Sequence, residues 1–379
     1  MIVLPRGNDP SYPTVLADYT TLGLGGPAKA LVSADTAHAL IGAVRDADKA
    51  GEPVLLIGGG SNLVISDAGF PGTVIHVNTR GLTFVDVGDG IVDVTVAAGA
   101  DWDDVVATAV GEGLAGLEPL SGIPGRAGAT PIQNVGAYGR EVAEVITEVR
   151  VYDRQEDQIR IIPNEGCRFS YRSSLFKSGR PEAVVSLPGG TRSPAAGQPR
   201  YVVLDVTFRL VRQSLSAPVK YAELASELGV ELGEQAAVGE VRAAVIKIRS
   251  RKGMVLNPGD PDTRSAGSFF TNPVITAEEF AGLETAAAAG GAGQVPHYPA
   301  GEGLVKVPAA WLIEHAGFAK GYGTPGPARV SSKHTLALVN AGEATTANLL
   351  ALAREIVSGV QRAYGVTLTP EPILVGVSL

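Results

Sequence analysis

The sequence is poor in the residues from which several chemistries are built. It holds one cysteine in 379 residues, Cys167, which excludes an internal disulfide and any cysteine-ligated metal cluster. A reactive thiol needs an electropositive, accessible setting, and Cys167 reads instead as a small packed residue. No basic run offsets the formal charge of −8, so nucleic acid is not an expected partner. An anionic ligand would have to find a local basic pocket. No apolar run approaches the roughly 20 residues that span a bilayer. The start of the chain also lacks the apolar core and cleavage pattern of a signal peptide, so a cytoplasmic protein without membrane partners is expected. His315 and His334 match no zinc-ligand spacing, and no metal site is expected. The P-loop pattern is missing. One formal match to G-x-G-x-x-A runs from Gly23 to Ala28, but no strand pattern precedes it and no helix pattern opens at it. A Rossmann fingerprint needs both, because the pyrophosphate rests on the helix N-terminus.

What is present is a soluble globular composition, 45% hydrophobic and 18% charged, in a chain long enough for two or three domains. Asp35 or Thr36 caps a helix carrying Leu40, Ile41, Val44 and Ala47 at helical spacing, and Gly51 ends it. Strands follow at 54–57 and 73–77 around a turn at 69–72, forming an alternating α/β unit. From Gly81 the period changes to a hairpin, 82–87 and 91–97 around Gly88-Asp89-Gly90. Asp101 caps the next helix, and strands are expected at 145–152, 158–162, 183–187 and 201–210. The Gly-, Pro- and Ser-rich stretch 189–200 reads as surface loop. A linker at 214–218 precedes a third module with a helix at 240–251. The low-complexity run 286–293 reads as a flexible loop. Thr345 or Thr346 caps a helix with Leu349, Ala353, Ile356, Val360 and Tyr364 down one side, closed by Gly365 and followed by a strand at 366–368.

Two glycine-rich segments suit phosphate. In Gly58-Gly59-Gly60-Ser61-Asn62 the glycines allow backbone N–H groups to converge on an anion, and Ser and Asn add donors. A tight loop between strands would have the same composition. The stretch 123–139 repeats the chemistry with its glycines, Thr130, Gln133 and Asn134, and two such loops suit a long diphosphate ligand such as a dinucleotide. Three further residues stand in tightly specified surroundings. Arg172 lies in Cys167-Arg-Phe-Ser-Tyr-Arg-Ser-Ser-Leu-Phe176, Ser268 in Ala266-Gly-Ser-Phe-Phe-Thr-Asn-Pro273, and Glu371 between Pro370 and Pro372. A cation, a hydroxyl donor and an immobilised carboxyl serve a reaction that builds negative charge beside a carboxylate and then protonates carbon. Singly, they would equally serve as a packing residue, a turn serine and a surface carboxylate.

Together these motifs resemble the UDP-N-acetylenolpyruvoylglucosamine reductase family, along essentially the whole chain. The resemblance implies an α+β, multi-domain protein with a two-subdomain FAD-binding fold of the vanillyl-alcohol-oxidase type and an α/β substrate-binding domain, without a Rossmann domain. The implied division is 1–80 (joined by 366–379) and 81–213 for FAD, and 219–365 for substrate. It implies non-covalent FAD, NADPH as co-substrate, and UDP-N-acetylglucosamine enolpyruvate as the substrate of a cytoplasmic step in peptidoglycan precursor synthesis. NADPH and substrate would use one pocket in turn. A monomer is expected.

Carried over by position, Arg172 would polarise the enolpyruvyl carboxylate with Glu371 assisting, and Ser268 would protonate carbon. Tyr171, Tyr221, Lys252 and Asn272 would bind substrate, with Tyr221 matching the mobile-loop tyrosine of one subgroup. FAD would lie against Gly58, Gly59, Gly60, Ser61, Asn62, Ile123, Pro124, Gly125, Gly128, Ala129, Thr130, Gln133, Asn134, Gly136 and Tyr138. The chain departs from the family pattern at Thr20-Thr21, where many members have Asn-Thr, a change expected to leave the chemistry untouched. It departs again in the long 253–266 connection. An oxidase on the same scaffold would commonly attach FAD through His or Cys, and neither stands in the cradle segments. A non-catalytic nucleotide-binding module would have no use for Ser268 or Glu371.

Overall fold

Thr36 stands in extended backbone and its hydroxyl accepts the Ala39 N–H. The helix Ala37–Ala50 therefore starts where its cap dictates, and Gly51, at φ +69°, ends it. This is the computed structural model of the protein, which describes residues 14–178 and 198–379. The strand expected at 183–187 and most of the 189–200 loop lie outside the described residues. The chain divides into two compact units with interleaved segments. One comprises 28–59, 71–178 and 198–250; the other comprises 14–27, 60–70 and 251–379.

Two sheets form most of the first unit, beside the short hairpin of Gly136–Ala137 with Arg140–Glu141. The smaller has the order Ala28–Ala34, Phe70–Val77, Val54–Ile57, with the last two parallel. Phe70 to Gly72, expected in a turn, are strand residues; the turn closes at Gly69, whose φ is +81°. The larger sheet is antiparallel, in the order Gln158–Pro163, Ile146–Asp153, Tyr201–Arg212, Ile91–Ala97, Leu82–Gly88. Alternate residues Val92, Val94 and Val96 are buried, the period-2 signature of a half-covered sheet. Helix Trp102–Gly111 packs on it through Trp102, whose ring lies 5.6 Å from Phe208. At the end of this unit, helices Ala222–Leu228 and Val238–Arg251 enclose a small core of Leu224, Val241, Val245 and Ile248. Arg242 ties it to helix Trp102–Gly111 by two contacts to Asp103, 2.7 and 2.8 Å.

In the second unit the long helix Thr346–Tyr364 buries Leu349, Ala353, Ile356 and Val360 against Leu312, Phe318 and Phe269. Gly359 is required there, because a Cβ would meet the Phe318 ring at 2.3 Å. Strand Ile373–Val375 runs parallel to Leu63–Ile65, which builds segment 60–70 into this unit. The residues 286–289 expected in a loop belong to helix Ala277–Ala289, where Leu283 and Ala287 are fully buried; burial outweighs low complexity. Residues 366–368 form no strand. The architecture is α+β. The Gly23–Ala28 motif leads into strand Ala28–Ala34 rather than a helix, which removes the Rossmann reading.

Candidate active site

Gly58 and Gly59 meet the second glycine-rich segment within the first unit. A Cβ on Gly59 would fall 2.8 Å from Gly125 Cα, and one on Gly58 would touch the Arg126 side chain at 3.0 Å. Only glycine allows this approach. The 123–130 loop is fixed from beneath: Trp102 N–H donates to Gly125 O, Ala127 N–H to Ala100 O, and Gly128 N–H to Ala98 O. Gly128 has no room for a Cβ, which would sit 2.4 Å from that of Ala98.

The polar side chains of this stretch are partly committed to the fold. Thr130 Oγ1 donates to Ala127 O at 2.7 Å. Asn134, buried at φ +44°, donates to Glu141 at 2.7 Å and Ser170 O at 3.2 Å and accepts Ala143 N–H. Gln133 is buried as well.

The Asn134–Ser170 bond leads to Arg172. This residue adopts φ +52°, a left-handed backbone uncommon for a bulky side chain. Its guanidinium donates to Gly136 O at 3.0 Å and Asn134 O at 3.4 Å, and lies 5.4 Å from the Tyr171 ring centroid. Lys177 Nζ holds the Arg172 carbonyl at 2.9 Å. A strained residue fixed on several sides is a feature of functional sites. Tyr138, also at positive φ, meets Tyr221 edge-on at 5.4 Å, and Tyr221 is 44% exposed at the start of helix Ala222–Leu228. Cys167 is buried, and burial first, then Glu165, pushes its thiol up to about 12. It is inert at neutral pH.

Within the second unit, Ser268 and Glu371 lie on paired segments. Phe270 bridges Pro370, and Glu371 N–H donates to Phe269 O at 2.9 Å. The adjacent Phe269 and Phe270 are buried and anchor the turn, leaving Ser268 and Glu371 half-buried. Asn272 accepts Ala309 N–H at 2.9 Å, at the start of helix Ala309–His315. Lys252 is half-buried beyond helix Val238–Arg251. Gly60, at φ +61°, packs on Tyr19, and Asn62 O accepts Ile373 N–H.

One cation in the cradle escaped the sequence reading. Arg126 lies against Gly58, 3.4 Å from Asp101. Its Nε is buried and makes no hydrogen bond to any described residue. Burial and the nearby Arg80 both depress its pKa. Burial, Arg126 and Arg80 together push His76 down, against Asp35. An arginine in Ile-Pro-Gly-Arg was visible as a phosphate ligand in principle, but its partners arise only in the fold.

Relatives of this architecture are numerous. The UDP-N-acetylenolpyruvoylglucosamine reductase of Thermobifida fusca is 54% identical over 366 residues, 96% of this chain and 97% of its own. That of Streptomyces coelicolor is 55% identical over 96% of this chain and 90% of its own. The chain belongs to the UDP-N-acetylenolpyruvoylglucosamine reductase family. The model of that reductase's C-terminal domain matches residues 260–375, and an FAD binding domain model matches 28–161. Over 96% of this chain and 98% of its own, the solved reductase of Thermus caldophilus superposes with a TM-score of 0.61 at 25% identity. The protein is thus an FAD-dependent oxidoreductase. The residues present fit the cofactor: closely apposed glycines at Gly59 and Gly125, and an unsatisfied buried Nε on Arg126. As a reductase of this family, the chain carries its matched FAD region in the first unit apart from 60–70, and its matched C-terminal region in the second.

Proposed function

We propose that the protein reduces UDP-N-acetylglucosamine enolpyruvate to UDP-N-acetylmuramate with NADPH. The pairing of the Ser268 and Glu371 segments through the Phe270–Pro370 bridge carries this reading, joined to family membership. FAD, when bound, supplies a carrier that takes hydride from NADPH and delivers it to the enolpyruvyl methylene carbon. That addition leaves carbanion character on the neighbouring carbon, spread into the carboxylate. Arg172 pairs with the carboxylate and stabilises the charge that develops there. Ser268 gives its hydroxyl proton to that carbon, so hydride and proton together saturate the double bond. Glu371 assists from the other side. Tyr171, Tyr221, Lys252 and Asn272 hold the substrate.

FAD lies against 58–62 and 123–138, in segments 1–80 (with 366–379) and 81–213, and substrate binding falls to 219–365. The enzyme works as a cytoplasmic monomer in peptidoglycan precursor synthesis. NADPH and substrate take turns in one pocket.

The test is anaerobic. The yellow protein is bleached with NADPH, UDP-N-acetylglucosamine enolpyruvate is added, and flavin absorbance is followed. Rapid return of the oxidised spectrum with a lactyl product is expected. A flavin that stays bleached until air enters would point to an oxidase, and a protein that takes up no FAD would overturn both readings.

A further inference from the structure

We infer that Thr21 is a positioning residue for the proton-donating serine. This inference rests on the role proposed for Ser268. The Thr21 hydroxyl donates to Ser265 O at 2.6 Å, across 244 positions of sequence, while its backbone N–H donates to Gly60 O at 3.2 Å. One residue thus holds both the glycine-rich loop and the segment that leads into Ser268.

The turn from Ser265 to Ser268 is short and needs such a hold. Gly267 takes φ +73°, and its N–H is accepted by Ser265 Oγ at 3.2 Å. Downstream, the chain is secured by backbone bonds, Phe269 N–H to Leu336 O and Thr271 N–H to Thr369 O. Upstream, the Ser265–Val339 bridge and Asn340 N–H to Arg264 O hold the chain, while the Ser265 carbonyl itself is held by the Thr21 side chain from a remote segment. Ser265 is buried, so a carbonyl there without its donor would favour rotation of the peptide towards another partner. Any such rotation reaches Ser268 through three peptide bonds, with only Ala266 and Gly267 between. Thr21 is itself fixed: Thr20 Oγ1 donates to Leu24 O at 2.9 Å and accepts Leu24 N–H at 3.1 Å, which closes the surrounding loop. Proton transfer to carbon from a hydroxyl as weak as serine's depends steeply on donor placement. The departure from the family's Asn-Thr falls at Thr20, whereas the residue that reaches Ser265 is Thr21, which keeps the family's threonine.

The experiment compares the two half-reactions in FAD-loaded Thr21→Val, Thr21→Ser and wild-type protein. In Thr21→Val, bleaching by NADPH stays within about twofold of wild type, whereas reoxidation by UDP-N-acetylglucosamine enolpyruvate slows by about 10–100-fold. KM for that substrate holds, and the solvent deuterium effect on reoxidation rises, since proton delivery has become slower. Thr21→Ser restores reoxidation to within a few-fold. Reoxidation of Thr21→Val at the wild-type rate, or equal slowing of both half-reactions, would overturn the inference. Ser268→Ala is run alongside. If it reoxidises normally, the role of Ser268 fails and this inference with it. If it is slow while Thr21→Val is fast, the Thr21 inference alone fails. Should Thr21→Val not fold, Thr21→Ser against Thr21→Ala isolates the hydroxyl at nearly constant volume.

Discussion

Gly60 adopts φ +61°, and a Cβ there would lie 1.8 Å from Tyr19 O. Both the dihedral and the contact forbid a side chain, so Gly60→Ala should cost about 3 kcal/mol or more, read as a drop in the urea midpoint of the FAD-loaded protein. A midpoint within error of wild type would mean that the loop opens at no cost. For Ser268→Ala the expected loss in substrate-driven reoxidation is about 10²–10⁴-fold, the weight of a general acid, with NADPH bleaching nearly unchanged. Equal slowing of both steps would make Ser268 structural. At this scale the sequence is legible where a local motif carries a backbone demand, as at Gly58 and Gly59, which meet Arg126 and Gly125 too closely for a side chain. It gives no role to Thr21 or Arg126. Their partners, Ser265 and the Gly58 backbone, are 244 and 68 positions away, and no local pattern encodes such contacts.

Helix Thr346–Tyr364 shows what an element takes from far away. Its sequence offers Thr345 or Thr346 as the cap and Gly365 as the stop, and it is Thr345 that accepts Asn348 N–H. A second cap is invisible there: Asp67 accepts Thr346 N–H at 2.7 Å and Ala347 N–H at 2.9 Å, while Thr346 Oγ1 donates to Ile65 O. A carboxylate on the first turn satisfies otherwise orphaned donors and complements the helix dipole. Asp67→Ala should therefore destabilise the protein by about 1–2 kcal/mol in urea unfolding, and Asp67→Asn by less, since asparagine also caps. Equal losses in the two variants would assign the effect to charge rather than capping. Helices with caps and periodic apolar faces were legible in this way. Short elements were not: strands Leu63–Ile65 and Ile373–Val375 have three residues each, too few to show a period, and each exists because the other pairs with it.

Across the whole molecule, contacts between distant segments also decide how the units interleave, as the parallel pairing of Ile373–Val375 with Leu63–Ile65 illustrates. A local reading orders the chain linearly and cannot see that pairing. The charge distribution has a consequence at the same scale. Burial opposes ionisation of Asp103, Asp153 and Asp262, yet their partners outweigh it and hold all three carboxyls below the usual range. These partners are Arg242 and Gly122 N–H for Asp103, Arg200 with Arg160 for Asp153, and Ser332 with Arg329 for Asp262. A folded-state pKa below the unfolded value of about 3.9 means that stability is fully present above that value and is lost as pH falls through the folded pKa. The melting temperature should accordingly be nearly flat from pH 7 to 5 and fall steeply below about 4. Arg242→Gln sharpens the test. It removes the largest of the groups that lower the Asp103 pKa but leaves the burial that raises it, so the variant should be less stable than wild type at pH 7. That gap should narrow as pH falls through the lowered Asp103 pKa of the wild type, below which the carboxyl is protonated in both proteins. A gap that stayed constant with pH would mean that Arg242 contributes by packing, and that the ion pair between the small helical module and helix Trp102–Gly111 carries no charge-dependent stability.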